Sequence, residues 1–329
     1  MSAARGARAV VTGAAGFIGS HLAEALLDAG YLVTGIDGFT ASYARAFKRA
    51  NLAGLLGRRG FELVEGDLSV MELDELLGGV EVVFHQAAQA GVRASWGVDF
   101  DVYVRDNVVA TQRLLEACVR CGVSRLVAAS SSSVYGDAPA YPTTEESITR
   151  PVSPYGVTKL ASEHLCLAYA QLASSGLTVA SLRYFTVYGP RQRPDMAFRR
   201  FFEAVYAGEP IRVFGDGEQT RDFTFVGDAV RANLLAMSAP FRAEPVNVGG
   251  GRRVSLNEVL ELVGRITGRR VPVVRVARQP GDARHTGADG ARAEALLGYK
   301  PEVDLEAGLA RQAAWIAQLV GARSPLSAP

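Results

Sequence analysis

Two residues one helical turn apart carry the first sign of chemistry. "SPYGVTK" places Tyr155 and Lys159 at i and i+4, on one face of a helix. A free phenol titrates near ~10 and is a poor base at neutral pH. An ammonium beside it favours the phenolate and tunes the tyrosine toward general-base work. Taken alone, such a pair is usually a solvated helix face. Here it follows a run of four hydroxyls, Ser130 to Ser133, at the end of the apolar run "RLVAA" over 125–129. A buried strand that ends in hydroxyls suits a polar ligand. One of these hydroxyls would share a substrate proton with Tyr155, and the others would hold polar groups of the substrate.

A second constellation lies near the start. "VVTGAAGFIGSH" has Gly13, Gly16 and Gly19 around Phe17 and Ile18, between an extended run and a helical one. Glycine serves where φ is positive or where backbone must approach a ligand. A helix N-terminus offers free N–H groups and a positive dipole end to a pyrophosphate. The spacing is GxxGxxG, not the GxGxxG of the usual fingerprint. Its context strengthens it: Asp37 ends the next extended run. A carboxylate there accepts from both hydroxyls of an adenine ribose and repels a 2′-phosphate. "GIDGF" has no adjacent Arg to offset that repulsion, so the expected cofactor is NAD and not NADP.

These residues need elements to position them. "ARAVVTG", "YLVTGID", "FELVEGD", "VEVVFHQAA", "VSRLVAAS" and "LTVASLRYF" read as strands, with helical patterns between most of them. Repeated βαβ units predict an α/β, Rossmann-type, doubly wound parallel sheet whose ligands bind at the carboxyl ends of the strands. Beyond residue 187 the texture changes to Pro- and Arg-rich stretches. "IRVFGDGEQTRDFTFV" reads as two extended segments about a tight turn, and Ser255 with Glu258 forms a capping box. The expected division is an NAD-binding domain over 1–187 carrying Ser131, Tyr155 and Lys159, and a smaller mixed α/β substrate domain over 188–329, with some segments interleaved.

The 48% hydrophobic composition and net charge of +1 fit a soluble globular chain and give no reason to expect a nucleic-acid or membrane surface. No apolar run is long enough to span a bilayer. The first residues lead straight into a strand rather than into a signal sequence, so the expected location is the cytoplasm. Cys118 and Cys121 form a CxxC, but inside an amphipathic helical stretch without a second pair, so no metal site is expected. His21, His85, His164 and His285 are scattered and read as structural.

Together the motifs resemble the extended short-chain dehydrogenase/reductase family, in its nucleotide-sugar epimerase/dehydratase branch. The resemblance rests on "TGAAGFIG" at 12–19, "GD" at 66–67, "HQAA" at 85–88, "DNVVAT" at 106–111, "SSSSVYG", "YGVTK", "LRYFTVYGP" at 182–190, "FGDGEQTRDF" at 214–223 and "GD" at 281–282. It implies adenine contacts at Asp67 and Leu68, cofactor contacts at Ala87, Asn107 and Ser130, and catalysis by Ser131, Tyr155 and Lys159. It also implies diphosphate binding by Arg221 and nucleotide-ribose contacts at Gln279 and Asp282. The substrate nucleotide would be UDP or dTDP. Relatives pair as homodimers through a four-helix bundle, here built from helices around 101–121 and 155–174.

Within the branch, "AAQAGVR", "SSSSVYG" and "FTVYGPRQRPDMA" look most like UDP-glucuronate 4-epimerases, in which the residues matching Thr186 and Arg193 recognise the sugar carboxylate. Dehydratases and decarboxylases carry an acid where this chain has Ser133. The implied reaction is interconversion of UDP-glucuronate and UDP-galacturonate through a 4-keto sugar, with Tyr155 as base and NAD+ as transient hydride acceptor. Such a 4-keto sugar is a β-keto acid, so the site must hold the carboxylate out of line with the carbonyl π system. Ser132, Ser133, Thr186 and Arg193 are the expected clamp. The alternatives are a UDP-glucuronate decarboxylase, a UDP-glucose/galactose epimerase and a non-catalytic NAD-binding sensor.

Overall fold

Seven short strands, the central ones apolar and buried on both faces, form one parallel sheet in a computed structural model that describes residues 6–277, 281 and 283–322. The first six strands are β1 (Arg8–Thr12), β2 (Leu32–Asp37), β3 (Phe61–Glu65), β4 (Val82–His85), β5 (Arg125–Ser131) and β6 (Thr178–Tyr184); Ala243–Val248 is the seventh. Across the sheet they run seventh strand, β6, β5, β4, β1, β2, β3. Every neighbouring pair is parallel. The order reverses between β1 and β4, which opens the crevice where ligands of such sheets bind.

Alternation along each strand feeds two cores. Val11, Val33, Phe84, Val127 and Leu182 pack on one face with Leu22 and Leu26 of the Phe17–Asp28 helix. Val10, Ile36, Val83, Leu126 and Val179 pack on the other with Leu114, Leu115 and Cys118 of the Ala110–Arg120 helix. Helices therefore cover both faces, as the βαβ pattern predicts. Cys118 and Cys166 belong to the second core, and burial pushes both thiols up.

Three features depart from a reading of local pattern. The helix expected over 101–121 begins at Phe100 and contains a π-helical stretch, Val104–Val109. The two extended segments about "GDGEQ" do not pair with each other. Ile211–Phe214 lies parallel to Val273–Val276, and Thr220–Asp222 lies antiparallel to Arg253–Ser255. Finally, the chain beyond residue 187 returns to the sheet, because the seventh strand pairs with β6. The helix Leu256–Thr267 does start at the Ser255–Glu258 capping box. Among the described residues, no helix is long and apolar enough to cross a membrane.

Behind the open end of the sheet lies a buried polar cluster. Glu163, on the helix Pro154–Gln171, is held by Arg183 of β6 through two bonds, Nε to Oε2 at 2.9 Å and Nη2 to Oε1 at 2.6 Å. Ser130 donates to the same carboxylate at 2.6 Å. Arg183 also donates to the Tyr135 hydroxyl, which donates to Asn247 of the seventh strand. One acid thus joins the helix to β5 and β6, and Arg183 carries the connection to the seventh strand. Removing one partner of a buried pair strands the other. Glu163→Ala is expected to lower unfolding stability by about 3–5 kcal/mol, read from urea denaturation.

Candidate active site

The glycine loop is shaped by backbone crowding. Gly13 has φ of +69°, and a Cβ there would sit 2.8 Å from the Ala87 nitrogen; a Cβ on Gly19 would sit 2.2 Å from the Gly13 oxygen. No side chain fits at either position, and the helix Phe17–Asp28 starts directly behind the loop. A cavity of 410 Å³ opens here, lined by Gly13, Gly16, Phe17, Ile18, Gly19, Asp37, Asp67, Leu68 and Ala87. It continues along Ser130, Ser131, Ser132 and Ser133 to Tyr155, Lys159, Thr186 and Arg193.

Asp37 ends β2 and is buried. Its carboxylate accepts from the backbone N–H of Ala15 at 3.0 Å and of Phe39 at 2.8 Å. A cation that inspection of adjacent residues missed is also present: Lys48, from the helix Arg45–Asn51, reaches Asp37 at 3.2 Å. Arg45 and Arg49 stack on the Phe39 ring beside it.

The serine run is a strand end followed by a tight turn. Ser131 closes β5 in extended conformation, and its Oγ accepts from the Ser133 N–H at 3.1 Å, capping the 3₁₀ turn Ser132–Val134. Ser153 caps the next helix by accepting from Gly156 at 3.1 Å. Gly156 is required by contact: a Cβ would lie 2.7 Å from the Ser133 oxygen. The helix therefore starts against the serine turn, with Tyr155 in the same cavity wall as Ser131.

Asn107, expected near the cofactor, is not among the residues that line the cavity and lies behind its wall. It is buried, and its amide bonds the backbone of Gln89 on both sides and the Thr158 hydroxyl at 2.9 Å. Its backbone oxygen accepts from Thr111 at 2.5 Å and from Ser162 at 2.7 Å. Because Thr111 donates there, it must accept from His85 Nε2, which leaves Nδ1 to accept from Thr12. Burial holds His85 down to about 3, so it stays neutral as a strut.

The electrostatics differ from the simplest reading of YxxxK. Burial pushes the Tyr155 phenol up from its ordinary value. A hydrogen bond with Ser131 and the Arg193 charge pull back without reversing the shift. The Arg193 guanidinium is thus a cation acting on the phenol that the YxxxK spacing does not reveal. Burial lowers Lys159 to about 8, opposed by Cys166 and Glu163. The ring of Tyr103 packs edge-on against Tyr155 with centroids 6.3 Å apart. Another unforeseen contact closes a ring on the cavity wall: Asn233 donates to Tyr184, Tyr184 to Gln86, and Gln86 back to Asn233.

A second cavity of 690 Å³ adjoins the first, and Thr186 lines both. Arg93 and Arg221 line it from the two halves of the chain, with the Arg93 guanidinium 4.1 Å over the Phe214 ring. Arg221 donates to the backbone oxygens of Thr220 and Arg284. Arg93, the last residue of "AAQAGVR", thus faces the cavity. Gln279 and Asp282 lie outside the described residues. No group of three or more metal-ligating side chains occurs among the described residues.

A glycine cradle, a ribose-side acid at the second strand end and a Ser–Tyr–Lys set beside them define a dinucleotide-dependent enzyme of the short-chain dehydrogenase/reductase type. Residues 9–249 match the NAD-dependent epimerase/dehydratase family, and the chain belongs to it. An uncharacterized UDP-glucose epimerase of Bacillus subtilis is 44% identical over 94% of this chain and 98% of its own. The UDP-glucuronic acid 4-epimerase of Bacillus cereus, solved with UDP-glucuronic acid and NAD, superposes with a TM-score of 0.91 at 41% identity, covering 95% of this chain and 99% of that one. MoeE5, solved with NAD and either UDP-glucuronic acid or UDP-glucose, is 44% identical with TM-scores of 0.86 and 0.87, over 95% of this chain and 99% of its own.

In the cofactor-free protein Tyr155 is therefore expected to ionise above pH 10. An alkaline ultraviolet difference titration checks this. The component lost in Tyr155→Phe should emerge above that pH, and emergence below it would contradict the dominance of burial.

Proposed function

We propose that this chain is an NAD-dependent UDP-sugar 4-epimerase that interconverts UDP-glucuronate and UDP-galacturonate. The observation that carries the reading is the shared cavity wall. Arg193 and Thr186, suited to a carboxylate, face the same space as Ser131 and Tyr155, suited to a proton transfer at a sugar hydroxyl. The complexes of the Bacillus cereus enzyme and MoeE5 support the same substrate class. That MoeE5 was also captured with UDP-glucose keeps an uncharged C6 group within reach.

The cradle of Gly13, Gly16 and Gly19 fits a pyrophosphate, because Cβ atoms there would collide with backbone and only glycines let the loop turn this tightly at the helix N-terminus. Asp37 would hold the adenine ribose, Asp67 and Leu68 the adenine, and Ala87, Ser130 and Lys159 the inner half of the cofactor. NAD, when bound, supplies a reversible hydride acceptor for C4 of the sugar. Tyr155 takes the C4 hydroxyl proton and returns it, with Ser131 hydrogen-bonded to both partners in the exchange. Arg93 and Arg221 grip the diphosphate from two sides, so the sugar can turn while the nucleotide stays fixed. Arg193 with Thr186, Ser132 and Ser133 binds the C6 carboxylate. Charge pairing with the guanidinium makes loss of CO2 from the β-keto acid harder, since decarboxylation drains charge from the carboxylate.

Two chain segments would supply the homodimer face. Trp96, Phe100 and Val109 on one segment and Val152 and Val157 on the other are exposed. Paired against a second copy, they would bury apolar surface in a four-helix arrangement. Val109→Glu should convert a dimer to monomer by light scattering; an unchanged mass would reject this face.

Incubation with UDP-glucuronate, followed by anomeric-proton NMR and a CO2 assay, tests the reaction. Growth of UDP-galacturonate to an equilibrium mixture without CO2 is expected. UDP-xylose with CO2 would overturn the carboxylate clamp. Tyr155→Phe should cut turnover by about 10²–10⁴ while still binding NAD.

A further inference from the structure

The Arg193 guanidinium already holds a carboxylate. Its Nε donates to Asp195 Oδ1 at 3.0 Å and its Nη2 to Oδ2 at 2.7 Å, a two-point fork. The two partners are unequally placed. The Arg193 side chain is 22% exposed and that of Asp195 is 54% exposed. Arg193 lines the cavity that holds Tyr155, whereas Asp195 lines the adjoining one, with Thr186 between.

This asymmetry has a physical consequence. A guanidinium so enclosed is costly to leave without a counter-charge. An exposed carboxylate can return to water cheaply. Burial pushes the Asp195 carboxyl up, but the bond and charge of Arg193 outweigh it and hold it below its usual range, with Arg200 adding to the effect. The acid is therefore an anion under working conditions.

We propose that Asp195 is a specificity-determining residue, an internal counter-charge that lets the Arg193 subsite accept UDP-sugars with either a carboxylate or an uncharged hydroxymethyl at C6. This rests on the reading that Arg193 faces C6 of the sugar. With a hydroxymethyl sugar bound, Arg193 stays paired with Asp195 and no charge is stranded. A uronate brings a second anion to the same guanidinium. The two carboxylates repel, and Asp195 yields part of its hold. Asp195 thus supports the uncharged substrate and penalises the charged one.

The test measures kcat/KM for UDP-glucuronate and UDP-glucose in the wild type, Asp195→Asn and Arg193→Met. Asparagine keeps the shape and an acceptor oxygen but removes the charge. Asp195→Asn is expected to raise the glucuronate-to-glucose ratio by roughly five- to tenfold, with the glucuronate gain in KM. An unchanged or lower ratio would overturn the proposal, a lower one marking Asp195 as a residue that merely orients Arg193. If turnover of the Asn variant is too slow to measure, the same ratio is read from calorimetric binding of the two sugars. Arg193→Met separates the two layers of the argument. Selective loss of UDP-glucuronate upholds the C6 reading whatever Asp195 does, whereas equal loss of both sugars removes that reading itself.

Discussion

The bidentate pair between Glu163 and Arg183 is the contact on which the site's geometry depends. Glu163 lies one turn beyond Lys159 and two beyond Tyr155 on the same helix, and Arg183 sits directly across from Ser130 in the sheet register. The pair therefore sets the depth at which the helix meets the strand ends. Ser130 donates its hydroxyl proton to Glu163 and still lines the cavity together with Ser131 to 133. Both charges are almost fully buried, so the pair has little freedom to loosen. The rigidity that an active site needs is supplied here from behind.

Burial dominates the electrostatics of the open end. It disfavours the charged forms of both Tyr155 and Lys159, moving one up and the other down. Two groups whose ordinary values nearly coincide are thereby driven apart, and the Arg193 charge pulls the phenol only part of the way back. A base of this kind is scarcely ionised until ligands arrive with charges of their own. The substrate's carboxylate and the oxidised cofactor act with opposite signs, so the reactivity of Tyr155 depends on which of them is present.

Much of this arrangement could be read along the chain wherever its cause is local. The glycine loop, the strand-end position of Asp37 and the Ser255 capping box each follow from backbone geometry within a few residues, and they were legible. So was the sheet, because strands buried on both faces leave continuous apolar runs. What local pattern could not supply were partners brought from elsewhere. Lys48 reaches Asp37 from across a loop, and Ile211–Phe214 finds Val273–Val276 instead of its nearer neighbour. The π-helical stretch contains Asn107, whose side chain bonds Gln89 and Thr158 from distant parts of the chain. The Arg193–Asp195 pair spans only two residues, yet "RPDM" gives no cue that both lie on the boundary between two cavities.

The return of Ala243–Val248 to the edge of β6 also constrains how the protein is made. A ribosome delivers the chain from the N-terminus, and six strands of the sheet are complete once Tyr184 has emerged. The outer edge of β6 then waits, with its backbone donors and acceptors unpaired, until some sixty further residues have been synthesised. Arg183 waits likewise, since the Tyr135 hydroxyl it holds has no Asn247 to bond before the seventh strand docks. The nascent enzyme thus passes through a stage with an adhesive strand edge beside an incomplete active site. A truncation after the sixth strand would make that stage permanent.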